Sequence, residues 1–474
     1  MKRIIINHRI FFYLFSLCSF VLSAQIQLSS VFGDNMVLQQ QDNVAIWGKD
    51  APDSSIKIIS SWGNEAKAIA DKNGFWRTTI KTKKASFDKH TINIQGSSSV
   101  LINNILIGEV WFCSGQSNME MPMKGLGKSK VLNSDFYLEK ANNNQIRLFN
   151  NSRSATVTPS FELNGNWVES NAESATDFSA IGYIFGTKLR QNLNVPIGII
   201  ESAWGGTKIE TWIPKEELMT YPSIKFSEKL PEEQNKQKKP SFLYNAMIHP
   251  FQNFTVKGIL WYQGESDRND PEPYKDYMED LINSWRKQWR DKKLPFYFVQ
   301  IAPYAYDQHR KTPKLKADLI REAQLQVSQE IDNTGMVVTT DAGDCDDIHP
   351  SKKEIVAERL ANWALAEQYD RKLSYKSPEF KTMSTSGNQV ILTFKFFNDD
   401  FFIENNNVNG FEIAGLDKIF HPAKVTFNTD GKRITLISEN VDKPIAVRYG
   451  FEDCFESNLK TQSGLPLSIF RTDK

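Results

Sequence analysis

The chain has 474 residues, 57 Lys and Arg against 56 Asp and Glu, and 12% aromatic residues. Near-neutral charge gives no electrostatic footprint for nucleic acid. The four cysteines are too few for a disulfide scaffold, and no stretch beyond the extreme N-terminus is long and apolar enough to span a bilayer.

Residues 1–24 read as a secretory leader. Lys2, Arg3 and Arg9 form a basic start, Ile10 to Leu22 an apolar core, and Ser23-Ala24 a small-residue exit. The expectation is an exported protein, secreted or periplasmic, with no membrane attachment after cleavage. Without those three charges, 54 basic residues face 56 acidic ones, and Cys113, Cys345 and Cys454 remain, enough for one bridge at most. Roughly 450 mature residues call for two or three domains.

Residues 25–104 predict a small β-sandwich. Short strands at Met36-Val37-Leu38, Val44 to Trp47, Ile56 to Ile59 and Thr91 to Ile94 alternate with turns. Asn73-Gly74, between Ala68-Ile69-Ala70 and Phe75-Trp76, reads as a hairpin.

From 105 to 370 strands and helices alternate. The apolar run Ile105 to Phe112 is followed by a helical stripe at Ile181, Ile184, Phe185, Leu189 and Leu193. Strands follow at Ile197 to Ile200 and Val256 to Trp261, then a helix with Tyr274, Met278, Leu281 and Trp285 on one face. A strand at Phe296 to Val299, a helix around Leu319 to Ala323 and a strand at Met336 to Thr339 come next. The last helix carries Val356, Leu360 and Trp363, opened by a capping box at Ser351-Lys352-Lys353-Glu354. Such alternation predicts a parallel sheet covered by helices on both faces. Residues 226–240 are charged and read as a solvated excursion. Residues 371–474 return to β-structure, with strands at Val390 to Phe394, Lys424 to Phe427, Arg433 to Leu436 and Ile445 to Tyr449, separated by turns such as Asn409-Gly410 and Asp430-Gly431.

In an open parallel sheet, chemistry collects where strands end. After the first strand comes Cys113-Ser114-Gly115-Gln116-Ser117-Asn118-Met119, a serine in a tight polar turn. Such a hydroxyl faces solvent while its own N–H is available to a carbonyl oxygen. The next strand ends are Glu201 to Thr207, whose Gly205-Gly206 pair lets backbone amides approach a ligand, and Tyr262-Gln263-Gly264-Glu265-Ser266-Asp267. The last is Asp341 to Pro350. Of six histidines, His8 lies in the leader, His90 and His421 in β-units, and His249 and His309 lack suitably spaced acids. His349 has Asp346 three residues before it and Asp347 two before, either of which can orient an imidazole base. No Cys/His spacing or EF-hand pattern indicates a metal or another cofactor.

Gly108 to Glu120, Trp204 to Thr207, Trp261 to Ser266, Asp347 to Pro350 and the tail Ser457 to Asp473 together resemble the sialate O-acetylesterase family, within the SGNH-hydrolase superfamily. The resemblance implies a three-layer α/β/α domain with a parallel sheet, flanked by N-terminal and C-terminal β-sandwich-type units. It implies removal of O-acetyl groups from sialic acids, through Ser117 as nucleophile, His349 as base and Asp346 as orienting acid. Asp347 is the second candidate for that last role. The oxyanion would be held by the Ser117 N–H, a glycine of Gly205-Gly206 and the Gln263 carboxamide, where the superfamily more generally has Asn. Gln116, Asn118, Glu265 and Asp347 would support the site, Glu265 by holding its loop. The partner implied is an O-acetylated glycan. An esterase of acetylated xylan or another polysaccharide would use the same residues, and a non-catalytic glycan-binding protein is a third reading.

Overall fold

The computed structural model describes residues 25–231, 233–306, 316–396, 400–403, 408–428 and 432–473. The leader expected at 1–24, His309 and Asp430-Gly431 lie outside the described residues. Seven strands form the frame that carries the strand-end loops: β1 (Ser99–Gly115), β2 (Asn143–Asn150), β3 (Trp167–Ser170), β4 (Ile197–Ala203), β5 (Gly258–Tyr262), β6 (Phe296–Val299) and β7 (Thr334–Val337). Their order is β3-β2-β4-β1-β5-β6-β7, and every neighbouring pair is parallel except β3 with β2. From the central β1 the chain fills one side first, β2 and β3 lying outermost and β4 returning next to β1, and then the other side with β5 to β7. A crevice opens at such a switch point, above the carboxyl ends of the strands.

Both faces of this sheet are covered at its centre, so strands such as β5 and β6 are apolar without alternation. Val110 and Phe112 of β1 join Ile259, Trp261 and the helices α2 (Tyr274–Trp289) and α3 (Ala317–Glu330). Trp111 and Cys113 face the opposite way, toward Leu260, Tyr262 and the helices α1 (Ala180–Leu193) and α4 (Lys353–Tyr369). Trp285 of α2 lies with its ring 5.6 Å from Trp261 and 6.2 Å from Phe112. Among the described residues no helix is long and apolar enough to cross a membrane.

β1 has 17 residues and runs unbroken through position 104–105, where the composition changes. Its first half pairs with Ser86–Gln95, itself paired with Ser55–Ser60, while its second half enters the central sheet. Asn73-Gly74 does form a turn, with the Gly74 N–H donated to Asp71 O at 2.8 Å and a Gly74 φ of +79°. The hairpin expected there does not form, however. Glu65–Ile69 pairs with Ser55–Ser60, and Phe75–Lys81 pairs with Asn43–Lys49 in a separate three-stranded sheet. The capping box at Ser351 is likewise absent. α4 starts at Lys353 with no side-chain cap, because the Glu354 carboxylate is taken by Tyr137 Oη and Asn133 Nδ2.

Two four-stranded antiparallel sheets make up most of the C-terminal region and share a core that includes Val390, Leu392, Ile413, Ile434, Leu436 and Val447. This region grips the loop that follows β7. Cys345 is bonded to Cys454, the Ser457 N–H reaches Thr340 O at 2.8 Å, and Arg359 donates both to Asp341 and to Gly464 O. The Asp341–Arg359 pair is bidentate at 2.6 and 2.7 Å, with Lys460 Nζ 3.3 Å from the same carboxylate. Burial opposes ionisation of Asp341, but hydrogen bonds and charge from Arg359, with Lys460, more than offset it and hold the carboxyl below its ordinary range.

The bridge closes a segment of 109 residues. Replacing Cys345 and Cys454 together by Ser is expected to lower unfolding stability by about 2–5 kcal/mol. Urea denaturation of the oxidised protein and the double variant measures it.

Candidate active site

The site begins with a backbone constraint at the end of β1. Gly115 has φ +138°, and a Cβ placed there would lie 2.2 Å from Tyr262 O. Only glycine satisfies both conditions. The chain can then turn beside β5, where the Gln116 N–H is donated to Tyr262 O at 2.9 Å. Ser117 follows as the first residue of a one-turn helix, Ser117–Glu120, half-buried with its hydroxyl turned toward the last strand-end loop. Ser117 Oγ lies 2.9 Å from His349 Nε2, across 232 residues of chain.

His349 is thus brought to Ser117, while His249 and His90 are engaged elsewhere. His249 Nδ1 lies 3.0 Å from Ser160 O, and His90 Nδ1 lies 3.2 Å from Ser61 Oγ. Both candidate acids share the His349 loop. The Asp347 carboxylate accepts the His349 backbone N–H at 2.9 Å, while the exposed Asp346 donates its own N–H to Asp344 Oδ1 at 2.9 Å.

The expected oxyanion donors are placed unequally. The Ser117 amide opens a helical turn, where N–H groups have no partner within the helix. Gly206 is exposed, with φ +71° and open space within 4 Å of where a Cβ would stand. The Gly205 N–H is already donated to Glu120 Oε2 at 2.8 Å. Gln263 does not reach the cavity. Its amide hydrogens go to Thr207 O at 3.0 Å and Asp267 Oδ2 at 2.5 Å, while Tyr274 Oη donates to its Oε1 at 3.2 Å. A fully buried carboxamide must meet its own hydrogen-bonding needs, and Gln263 meets them under the glycine loop. Gln116, by contrast, accepts the Gly264 and Ser266 N–H groups at 3.3 and 3.4 Å and so joins two strand ends.

A cavity of about 710 Å³ opens over Ser117, His349, Gly205 and Gly206. Six charged side chains to which the sequence gives no role also line it: Glu120, Arg153, Lys208, Glu210, Lys238 and Arg268. Lys238 belongs to the 226–240 excursion, read as merely solvated. Lys238 is exposed at the rim of the cavity, and nothing local in that charged run distinguishes it. Glu120 does carry a signal, since it stands one helical turn after Ser117.

The model of the family described as "Carbohydrate esterase, sialic acid-specific acetylesterase" matches residues 107–366, more than half the chain and inclusive of every loop above. The chain belongs to this carbohydrate esterase family. The sialate O-acetylesterase of Mus musculus is 28% identical over 415 residues, covering 74% of this chain and 75% of its own. The human sialate O-acetylesterase is 27% identical over 399 residues, covering 74% and 73%. The solved structure of a carbohydrate acetylesterase from Xanthomonas citri is 33% identical, with a TM-score of 0.85, covering 95% of this chain and 100% of that one. The protein is accordingly a carboxylic ester hydrolase.

In this esterase a buried polar knot lies directly behind the Ser117–His349 pair. Asn118 Nδ2 donates to Ile348 O at 3.0 Å and to Glu265 Oε1 at 2.6 Å, and its Oδ1 accepts Lys353 Nζ. One side chain thus joins the serine turn, the β5 loop and the histidine loop. Glu265, read as holding its loop, does so through Asn118, and its second oxygen has no partner among the described residues. Burial raises the Glu265 carboxyl above its ordinary range. Burial also pushes the Lys353 ammonium down from 10.5 to about 7, against the favourable charges of Glu265 and Asp347.

Two outcomes follow from this knot. Asn118→Ala frees the histidine loop from the serine turn, and kcat for an acetyl ester is expected to fall by about a hundredfold. Between pH 7 and the ordinary lysine range, the unfolded chain binds a proton at Lys353 that the folded one has released. Unfolding then takes up protons, so this residue makes stability rise with pH across that window. Thermal midpoints of Lys353→Met, measured alongside the parent from pH 6 to 10, are expected to lose that rise.

Proposed function

We propose that the protein removes O-acetyl groups from sialic acids through a Ser-His-Asp acyl-enzyme mechanism. The observation that carries this reading is the 2.9 Å contact between Ser117 Oγ and His349 Nε2 in a cavity open to solvent. Ser117 Oγ attacks the acetyl carbonyl as His349 Nε2 takes its proton. The oxyanion lies against the Ser117 and Gly206 amides, with Gly205 joining once Glu120 releases its N–H. His349 then gives the proton to the departing sugar oxygen, and water repeats the sequence on the acetyl-enzyme. Asp346, at the Asp-x-x-His spacing, orients the imidazole. Asp347 is the alternative and also braces the His349 backbone. Each oxyanion donor contributes about a hundredfold or more to the rate.

Around the cavity the four cations Arg153, Lys208, Lys238 and Arg268 outnumber the three carboxyl groups Glu120, Glu210 and Glu265, which suits a sugar that carries a carboxylate and favours a sialic acid. A neutral polysaccharide such as acetylated xylan is the second reading, supported by the likeness over 95% of the chain to a carbohydrate acetylesterase. In the same proposal, the covered parallel sheet is the three-layer α/β/α domain of an SGNH hydrolase over 105–370. It lies between β-units at 25–104 and 371–474, and residues 1–24 direct export.

Hydrolysis of p-nitrophenyl acetate is expected to fall by about four orders of magnitude in Ser117→Ala, and equal turnover by that variant would refute the mechanism. Between Asp346→Asn and Asp347→Asn, the larger fall in kcat identifies the orienting acid. Acetate release from 9-O-acetylated sialoglycans compared with acetylated xylan decides the sugar.

A further inference from the structure

The Ser117 cavity has a neighbour. Glu120, Leu126 and Arg153 stand in its wall and equally in the wall of a second cavity of about 510 Å³. The Arg153 guanidinium is paired with the Glu120 carboxylate at this partition. Beyond it, the second cavity runs over Met121, Pro122 and Ala203, with Asn151, Asp177 and Glu201 among its polar groups. Carboxyl and amide groups set around a small apolar patch are what a sugar ring needs, hydroxyls outward and C–H face inward.

Glu201 is the informative residue. It lies on β4, paired in register with Cys113 of β1, and is only 3% exposed. Among the described residues its Oε1 has no hydrogen-bond partner, although buried side-chain oxygens rarely go without one. Burial first, and then the charge of Glu120, push its carboxyl well above the ordinary range. A protonated carboxyl can both donate to and accept from a hydroxyl. The chemistry at Ser117 and His349 makes no use of it. Asn151 beside it is fixed in place, donating to Ser202 Oγ at 3.0 Å and accepting the Asn164 N–H at 3.3 Å.

We propose that this second cavity binds the sugar residue adjoining the one whose acetyl group reaches Ser117, with Glu201 hydrogen-bonding one of its hydroxyls. The Glu120–Arg153 pair then marks the junction between two sugar positions. This assignment rests on the carbohydrate reading of the Ser117 cavity and extends it from a single sugar to a glycan chain.

Binding measured by calorimetry tests it without any turnover, using free N-acetylneuraminic acid and sialyllactose, which adds neighbouring sugars. Sialyllactose is expected to bind at least about tenfold tighter. That gain should vanish both in Glu201→Leu, which removes the hydrogen bond, and in Ser152→Trp, which fills the cavity from its exposed rim. Equal affinity for the two sugars, a gain that persists in both variants, or no binding of either sugar would each overturn the proposal. Failure of the acyl-enzyme mechanism would show separately, as no hydrolysis of p-nitrophenyl acetate by the unmodified protein, and would leave the binding comparison intact.

Discussion

Everything at this site depends on holding one hydrogen bond, Ser117 Oγ to His349 Nε2, between two loops that meet across 232 residues. Loops are by default the mobile part of a fold, yet a reacting pair must stay aligned within a fraction of an ångström. The serine side is fixed first by its backbone. Gly115, in a conformation closed to other residues and against Tyr262 O, leaves the turn little choice. The histidine side is fixed from outside the sheet. The Cys345–Cys454 bond, the Asp341–Arg359 pair and the contact of Ser457 with Thr340 make the C-terminal region a brace for the loop that carries His349. Asn118 then ties the two sides directly.

The buried ionisable groups fall into two kinds, and the difference is one of partners. Asp341 has Arg359 in bidentate contact and Lys460 nearby, so its charge is kept despite burial. Glu265, Glu201 and Lys353 have less than a full set of partners, and burial drives each toward its neutral form. Charge near Ser117 is therefore concentrated in the cavity wall, at Glu120, Arg153, Lys208, Glu210, Lys238 and Arg268, where a substrate meets it. The groups beneath act mainly by hydrogen bonds.

What was legible in the sequence follows the same physics. The second half of β1 and all of β5 are buried on both faces, so their largely apolar runs announced the strands and located the loops behind them. His349 emerged because few histidines exist to choose from. β2 and β3 were invisible, since β2 opens with Asn143-Asn144-Gln145 and buries Arg147, whose charge is met by Glu169 at 3.1 Å. Gln263 illustrates the limit of motif reasoning. Its position in the loop was right, but its rotamer is decided by Thr207, Asp267 and Tyr274, residues 4 to 56 positions away. Ser351 to Glu354 failed for a related reason, because Glu354 has better partners in Tyr137 and Asn133 than a helix end offers. Lys238 is set by how a long excursion folds back, which no local pattern encodes.

The central claim is that the Ser117 hydroxyl, activated by His349, carries the acyl group. Rapid mixing with p-nitrophenyl acetate, acid quenching and peptide mass analysis test it most directly. The account predicts one acetyl group on the peptide containing Ser117, formed in the parent protein and absent from His349→Ala at the same mixing time. An acetyl group found on a different residue, or adduct formation that proceeds equally well without His349, would contradict it.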